Sequence, residues 1–252
     1  MILSHDVDGP AGAPAVVLLH SSVCDRRMWE PQWRPLLDAG FRVVRPDFRT
    51  CGDSPAAEAP YSDEGDVREL LDHLGIRRAA FVGSSYGGRV ALTLAALHPD
   101  RVSALALLCP VRPGHEPGPE QRAFGAAEDA LLDAGDLRGA AELNARQWLG
   151  PDASAEARDL VRDMQWGNLR SAPSATGDHE LPEPAVDLSL IVAPVLAVGG
   201  AHDISDFRRI PAELPSLVPG AVHVELPWAG HLPSLERPAE TTRLLLDFLP
   251  RP

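Results

Sequence analysis

Short apolar runs and amphipathic stretches alternate along most of this chain. Ala15-Val16-Val17-Leu18-Leu19 is apolar at every position, as a strand covered on both faces is. Met28 to Ala39 carries Trp29, Trp33, Leu36 and Leu37 at helical spacing, and Gly40 closes it. Phe41-Arg42-Val43-Val44-Arg45 reads as the next strand. Ser62 is placed to cap a helix over Asp63 to Leu74, with Gly75 just past its end. Arg78 to Val82 reads as a strand, followed by a Gly/Ser-rich turn and a strong helix former from Arg89 to His98. Val102 to Leu108 is a further buried strand, and Ile2 to Asp8 is a strand candidate ahead of the turn Asp8-Gly9-Pro10. After a long interruption the rhythm resumes at Val195 to Val198 and Val222 to Leu226, then a closing helix from Pro238 to Phe248. This alternation predicts an α/β fold, a mostly parallel sheet flanked by helices.

The interruption runs from about Val111 to Ala185. It is Ala-rich, broken by Pro and Gly, and has no strand pattern. Glu120 to Ala134, Leu137 to Leu149 and Ala155 to Leu169 are its three helices, and residues 171–185 are Pro-rich and loop-like. The segment 111–185 is therefore expected to be a helical cap inserted over the strand ends. Residues 1–110 and 186–252 then form the core.

A length of 252 residues suits one α/β domain with such an insertion. The net charge is -13, from 23 basic and 36 acidic residues. With no basic stripe, the chain is unsuited to nucleic acid or to an anionic membrane surface. No run of about 18 apolar residues marks a membrane span. Met1 to Asp6 lacks the basic region and long apolar core of a signal peptide. Cys24, Cys51 and Cys109 are odd in number and unpatterned, as free thiols in a reducing cytosol are. No Cys/His spacing suggests zinc or another metal. The high Ala, Arg, Gly and Pro content with scarce Lys points to a high-GC bacterial genome.

The chemistry concentrates at strand ends, where ligands bind in open parallel sheets. Gly83-Ser84-Ser85-Tyr86-Gly87 reads G-x-S-x-G between a strand and a helix, the context of a nucleophile elbow. The turn is tight enough that side chains at Gly83 and Gly87 would collide with the strand and helix beside them. Ser85 then stands at the tip, above a helix N-terminus that favours negative charge. Ser84 is off the motif centre and reads as a packed or hydrogen-bonding residue. Asp203 follows the strand Val195 to Val198, and His231 follows Val222 to Leu226. A serine hydroxyl needs a base to take its proton and an acid to fix that base's tautomer. Ser85, His231 and Asp203 supply these roles in the chain order Ser, Asp, His. Asp206 is the rival acid, three residues further on. His20 reads as structural support beneath the site, His202 as a loop residue and His223 as a strand residue facing out. An oxyanion needs two backbone donors. Position nominates the amide of Tyr86, after the nucleophile, and that of Ser22, in the loop after the first long strand.

Taken together, these pieces resemble the α/β-hydrolase fold, in its lid-bearing type that includes esterases, lactonases, perhydrolases and dehalogenases. The matching residues are Leu18-Leu19-His20, Asp47-Phe48-Arg49 with Gly52, Ser54 and Pro55, the elbow, Gly200 with Asp203, and Gly230-His231. They span nearly the whole chain outside the cap. Three departures stand out. His20-Ser21 replaces the usual His-Gly, and a Cβ there narrows the backbone angles. Thr50 and Cys51 replace a common Gly and aromatic or His, with Asp47 and Arg49 expected to be structural. Ser85 replaces the Asp nucleophile of the dehalogenases. Some relatives place the acid after the earlier strand, but Cys109-Pro110 offers no carboxylate there.

The resemblance implies acyl transfer to water on a small-molecule ester or lactone, with no metal or organic cofactor. Carbon–carbon bond hydrolysis, perhydrolysis, hydroxynitrile lysis and natural-product tailoring use the same fold. A non-catalytic small-molecule receptor is a further alternative. Phe124, Trp148, Met164 and Trp166 are candidates to line the substrate pocket, although each also suits packing between cap helices. Arg112, Arg146 and Arg170 are able to bind a carboxylate, but exposed Arg on a helix is usually solvated, so no anionic substrate is inferred. The expected state is a cytoplasmic monomer or homodimer without nucleic-acid or membrane partners.

Overall fold

The computed structural model describes residues 2–171 and 179–250. Seven strands form one sheet: β1 (His5–Asp8), β2 (Ala15–Leu19), β3 (Arg42–Pro46), β4 (Ala79–Ser84), β5 (Val102–Leu108), β6 (Val195–Gly200) and β7 (Val222–Leu226). Their spatial order is β1-β3-β2-β4-β5-β6-β7. The β1–β3 pair is antiparallel and every other pair is parallel. Every residue of β2 and β4 is buried because helices cover both faces. The edge strand β7 is only partly buried.

Side chains alternate between two core layers. Val17, Leu19, Phe81, Leu105 and Leu107 enter one, and Val16, Leu18, Val82, Ala106 and Leu108 enter the other. This is the period of two that a pleated strand imposes. Each fully buried Leu, Val or Phe contributes about 1.5–3 kcal/mol. The flanking helices are α1 (Glu30–Asp38), α2 (Asp63–His73) and α3 (Tyr86–Leu97). Three more form the cap between β5 and β6: α4 (Pro119–Asp133), α5 (Leu137–Trp148) and α6 (Ala155–Ser171). They pack on one another, α5 chiefly on α6. The chain closes with α7 (Ser205–Leu217), α8 (Pro233–Glu236) and α9 (Pro238–Phe248).

Several expectations need correction. α7 has no counterpart in the sequence reading, because Pro211 and Pro215 lie inside it. Proline opposes a helix interior locally, yet burial of Phe207, Ile210 and Leu214 holds this one together. Ser62 occupies the N-cap of α2 but its side chain makes no capping bond. Asp63, Glu64 and Asp66 in the first turn meet the helix dipole instead. Part of the Pro-rich stretch expected over 171–185, residues 172–178, lies outside the described residues. Beside it, Glu180 forms an isolated parallel bridge with Tyr61. Among the described residues, no helix is long and apolar enough to cross a membrane.

Candidate active site

β4 passes into α3 through a single residue, Ser85, at φ 51° and ψ -111°. A non-glycine backbone in that region costs roughly 1–3 kcal/mol and persists only where its surroundings enforce it. Here Ser85 N–H donates to the Leu108 carbonyl at 2.9 Å, and the Ser85 carbonyl accepts from Val111 N–H at 3.0 Å. Gly87 N–H donates to the His20 carbonyl at 3.1 Å. A Cβ on Gly83 would lie 2.5 Å from the Gly87 carbonyl oxygen, and one on Gly87 would overlap the Leu19 carbonyl. The elbow therefore exists in this form only with glycine at both places. Ser84 is fully buried and its Oγ has no partner among the described residues.

The loop after β2 approaches the same point. His20 is buried, donates from Nδ1 to the Ser21 carbonyl at 2.8 Å and accepts at Nε2 from Phe48 N–H at 2.9 Å. Both ring nitrogens are thus used, and burial lowers its pKa, which keeps the ring neutral. Ser21 is not among the residues with positive φ, so its Cβ is accommodated without strain. Its N–H faces Met28 Sδ at 3.4 Å. The amides of Ser22 and Tyr86 have no acceptor among the described residues. Tyr86 opens α3, so its N–H has no partner within the helix. Asp47 accepts from the Arg26 and Asp53 main chain and pairs with the Arg26 side chain. Arg49 makes a two-point contact with Asp66 at 2.6 and 2.8 Å. Both brace the loop below the site.

Asp203 follows β6 and His231 follows β7. His231 Nδ1 lies 2.5 Å from Asp203 Oδ2, and both side chains are almost wholly buried. Asp203 Oδ1 also accepts from Ile204 N–H at 2.8 Å. The two loops touch main chain to main chain. A Cβ on Gly200 would overlap the Gly230 carbonyl, and His202 N–H donates to the Ala229 carbonyl at 2.9 Å. The His231 ring packs against Trp148 at 4.9 Å and Phe207 at 4.3 Å between centroids. Asp206 turns away, toward His115 Nε2 at 3.2 Å and Gly118 N–H at 3.2 Å. His223 does not face out: its Nε2 is buried, with no partner among the described residues, because β7 lies against α7. Cys109, just after β5, adopts φ 45°, and its thiol lies beside Gly230 O at 3.5 Å. Burial pushes that thiol's pKa well up, so it stays protonated and offers a metal little. Its Sγ and the Asp203 and His231 donor atoms fall within 4.8 Å, but the latter two are already bound to each other.

Ser22, Ser85, Tyr86 and His231 open onto one cavity of about 620 Å³. Phe124 and Trp148 line it from the cap, edge to face at 4.7 Å. Met164 and Trp166 do not. Met164 is fully buried in the core, with Sδ 3.5 Å from Asp25 N–H. Trp166 lies on another face of α6, between the guanidinium groups of Arg138 and Arg170 at 4.7 and 4.8 Å. Arg170 is thus engaged by a ring, Arg112 Nε is buried with no partner among the described residues, and Arg146 is exposed.

Residues 14–164 match the family described as the alpha/beta hydrolase fold. The chain belongs to the α/β-hydrolase fold family. Among curated relatives, the "Putative carbamate hydrolase RutD" of Variovorax paradoxus (strain S110) is 31% identical over 264 residues, covering 100% of this chain and 97% of its own. The enol-lactonase from Burkholderia xenovorans LB400 is 30% identical, with a TM-score of 0.78, over 98% of this chain and 95% of that one. Est816, described as an N-acyl homoserine lactone degrading enzyme, is 26% identical, with a TM-score of 0.77, over 98% of this chain and 96% of its own.

Two acids of this α/β hydrolase escaped the sequence reading. Glu236 of α8 is buried, and its carboxylate accepts from Gly230 N–H at 2.8 Å and Leu232 N–H at 3.0 Å. It therefore grips the main chain on both sides of His231, and it also takes the amide of Gly150, in the cap. Burial raises its pKa, against the opposing pull of these amides. Asp63, at the start of α2, accepts the Tyr86 hydroxyl and ties the elbow to that helix. Burial pushes its pKa up to about 6. Main-chain partners leave no signature in a sequence. The available signal was an acid inside the short Pro233–Glu236 helix, directly after His231.

Proposed function

We propose that this hydrolase cleaves a carboxylic ester or lactone of a small organic molecule through an acyl-enzyme on Ser85. The observation that carries this reading is the junction of three elements at one cavity. These are Ser85 on its strained elbow, the His231–Asp203 pair, and the uncommitted amides of Ser22 and Tyr86. In this reading the core comprises residues 1–110 and 186–252, and the cap, residues 111–185, selects the substrate. Two of the related structures bear the names of lactone-cleaving enzymes, which favours the same reaction class.

In the first step Ser85 Oγ attacks the carbonyl carbon and His231 Nε2 takes the hydroxyl proton. Asp203, at His231 Nδ1, fixes the tautomer that leaves Nε2 free to accept and stabilises the imidazolium. The Ser22 and Tyr86 amides, aided by the N-terminus of α3, receive the oxyanion. His231 then protonates the leaving alcohol. In the second half it activates water, which releases the acid and restores Ser85.

A panel of p-nitrophenyl esters and simple lactones tests the reading. Turnover of at least one by the wild-type protein is expected, with kcat lowered by roughly three orders of magnitude or more in Ser85→Ala. Near-normal hydrolysis by that variant removes Ser85 from the mechanism. An inert panel combined with a fluorophosphonate-reactive Ser85 would move the assignment to carbon–carbon hydrolysis or another reaction of the fold.

A further inference from the structure

The wall that the cap gives to the cavity is rich in hydrogen-bond acceptors. Gln121 and Glu128 lie seven residues apart on α4, hence on one face of it, and both line the cavity. Glu128 Oε1 accepts from Asn144 Nδ2 at 2.5 Å and from Gln165 Nε2 at 3.5 Å. The orientation of Asn144 is forced. Its Nδ2 also donates to the Ala140 carbonyl at 2.9 Å, and its Oδ1 accepts from Trp148 Nε1 at 2.9 Å. Gln165 must turn its nitrogen to the carboxylate, which leaves its Oε1 without a partner among the described residues, in a residue only 6% exposed. Gln121 Oε1 is likewise buried and has no partner among the described residues. Glu128 forms no ion pair among the described residues, and its Oε2 has no partner there. Arg122 also lines the cavity, but it is exposed and its guanidinium donates to the Pro117 carbonyl.

Acceptors held in this way lower their free energy when a donor meets them. An ammonium group brings three N–H donors and a charge opposite to that of Glu128. We propose that this wall is a subsite for a protonated primary amine carried on the non-reacting part of the substrate. The groups that would receive it are Glu128, Gln165 and Gln121. The placement of the amine relative to the scissile bond rests on the ester or lactone reading given above. Asn144 serves the subsite indirectly, by holding Glu128 in register with Trp148, which in turn packs on His231.

The test compares p-nitrophenyl 6-aminohexanoate with p-nitrophenyl heptanoate, which replaces the ammonium by a methyl group. In the wild-type protein kcat/KM for the amino ester is expected to exceed that for heptanoate by roughly tenfold. In Glu128→Gln that ratio falls to about one, and in Gln165→Leu it falls part of the way. Hydrolysis of both esters with no preference for the amine, or a preference that survives Glu128→Gln, overturns the subsite and leaves the hydrolase reading standing. If neither ester is cleaved, calorimetric titration of the wild-type protein with hexylamine and with hexanoate decides the matter without turnover. Tighter binding of hexylamine by roughly tenfold supports the subsite, and equal or weaker binding overturns it.

Discussion

Replacing Glu236 by glutamine keeps the size of the side chain and removes its charge. In the native site two carboxylate oxygens serve three main-chain amides, Gly230 at 2.8 Å, Leu232 at 3.0 Å and Gly150. Glutamine has a single acceptor oxygen, so at least one of these amides loses its acceptor and faces an NH2 group. Each buried donor left unsatisfied costs about 1–3 kcal/mol. Burial disfavours the charge of Glu236 and so raises its pKa, and the substitution relieves that part. The net loss is then about 2 kcal/mol, which for a chain of 252 residues lowers Tm by roughly 4–8 °C. The larger effect falls on catalysis, because the distorted segment carries His231. A displacement near 1 Å costs roughly a hundredfold, so kcat should fall between ten- and a hundredfold. Glu236 does not line the cavity, and KM should stay within about twofold. Thermal melts and steady-state hydrolysis of an active ester read both quantities. An unchanged kcat, or a loss confined to KM, would show that Glu236 does not position the base.

Two further outcomes follow from the same geometry. Gly200→Ala drives a Cβ into the Gly230 carbonyl, a main-chain atom that cannot swing aside, and should cost about 3 kcal/mol or more while separating Asp203 from His231. A variant that melts and turns over like the wild type would contradict the backbone contact between these loops. Asp63 has a folded-state pKa of about 6, above its ordinary value of 3.8, so the folded protein takes up a proton before the unfolded chain does. Its contribution to stability therefore rises as pH falls from 7 through 6 and levels off below about 4. The gain between pH 7 and pH 5 is about 1 kcal/mol. Urea denaturation should show this increment in the wild type and not in Asp63→Asn, and identical pH dependence in the two would count against a raised pKa.

Legibility in the sequence followed the physics of each element. β5, β7 and α9 have the bounds their sequence patterns indicate; burial dictates the apolar run of β5, while β7 is a partly exposed edge strand paired to β6. α7 was hidden by two prolines whose local penalty is overcome by contacts from distant residues. Asp203 was separable from Asp206 by its distance from the strand end, and the structure directs Asp206 to His115 instead. Helical spacing in the cap marked apolar side chains without telling which face meets the core and which meets the cavity. Phe124 and Trp148 thus line the cavity, while Met164 packs inward and Trp166 lies between two arginines. Glu236 and Asp63 act through a folded backbone and a neighbouring helix, relations that come into being only with the tertiary structure.

The most direct measurement is the site and rate of covalent labelling by an alkyl fluorophosphonate, followed by intact-protein and peptide mass spectrometry. A single adduct on Ser85 is expected, forming roughly a hundredfold more slowly in His231→Ala because the hydroxyl then lacks its base. An adduct on Ser22 or Ser84, or labelling of Ser85 at an undiminished rate without His231, would contradict the assignment of Ser85 as a nucleophile activated by the Asp203–His231 pair.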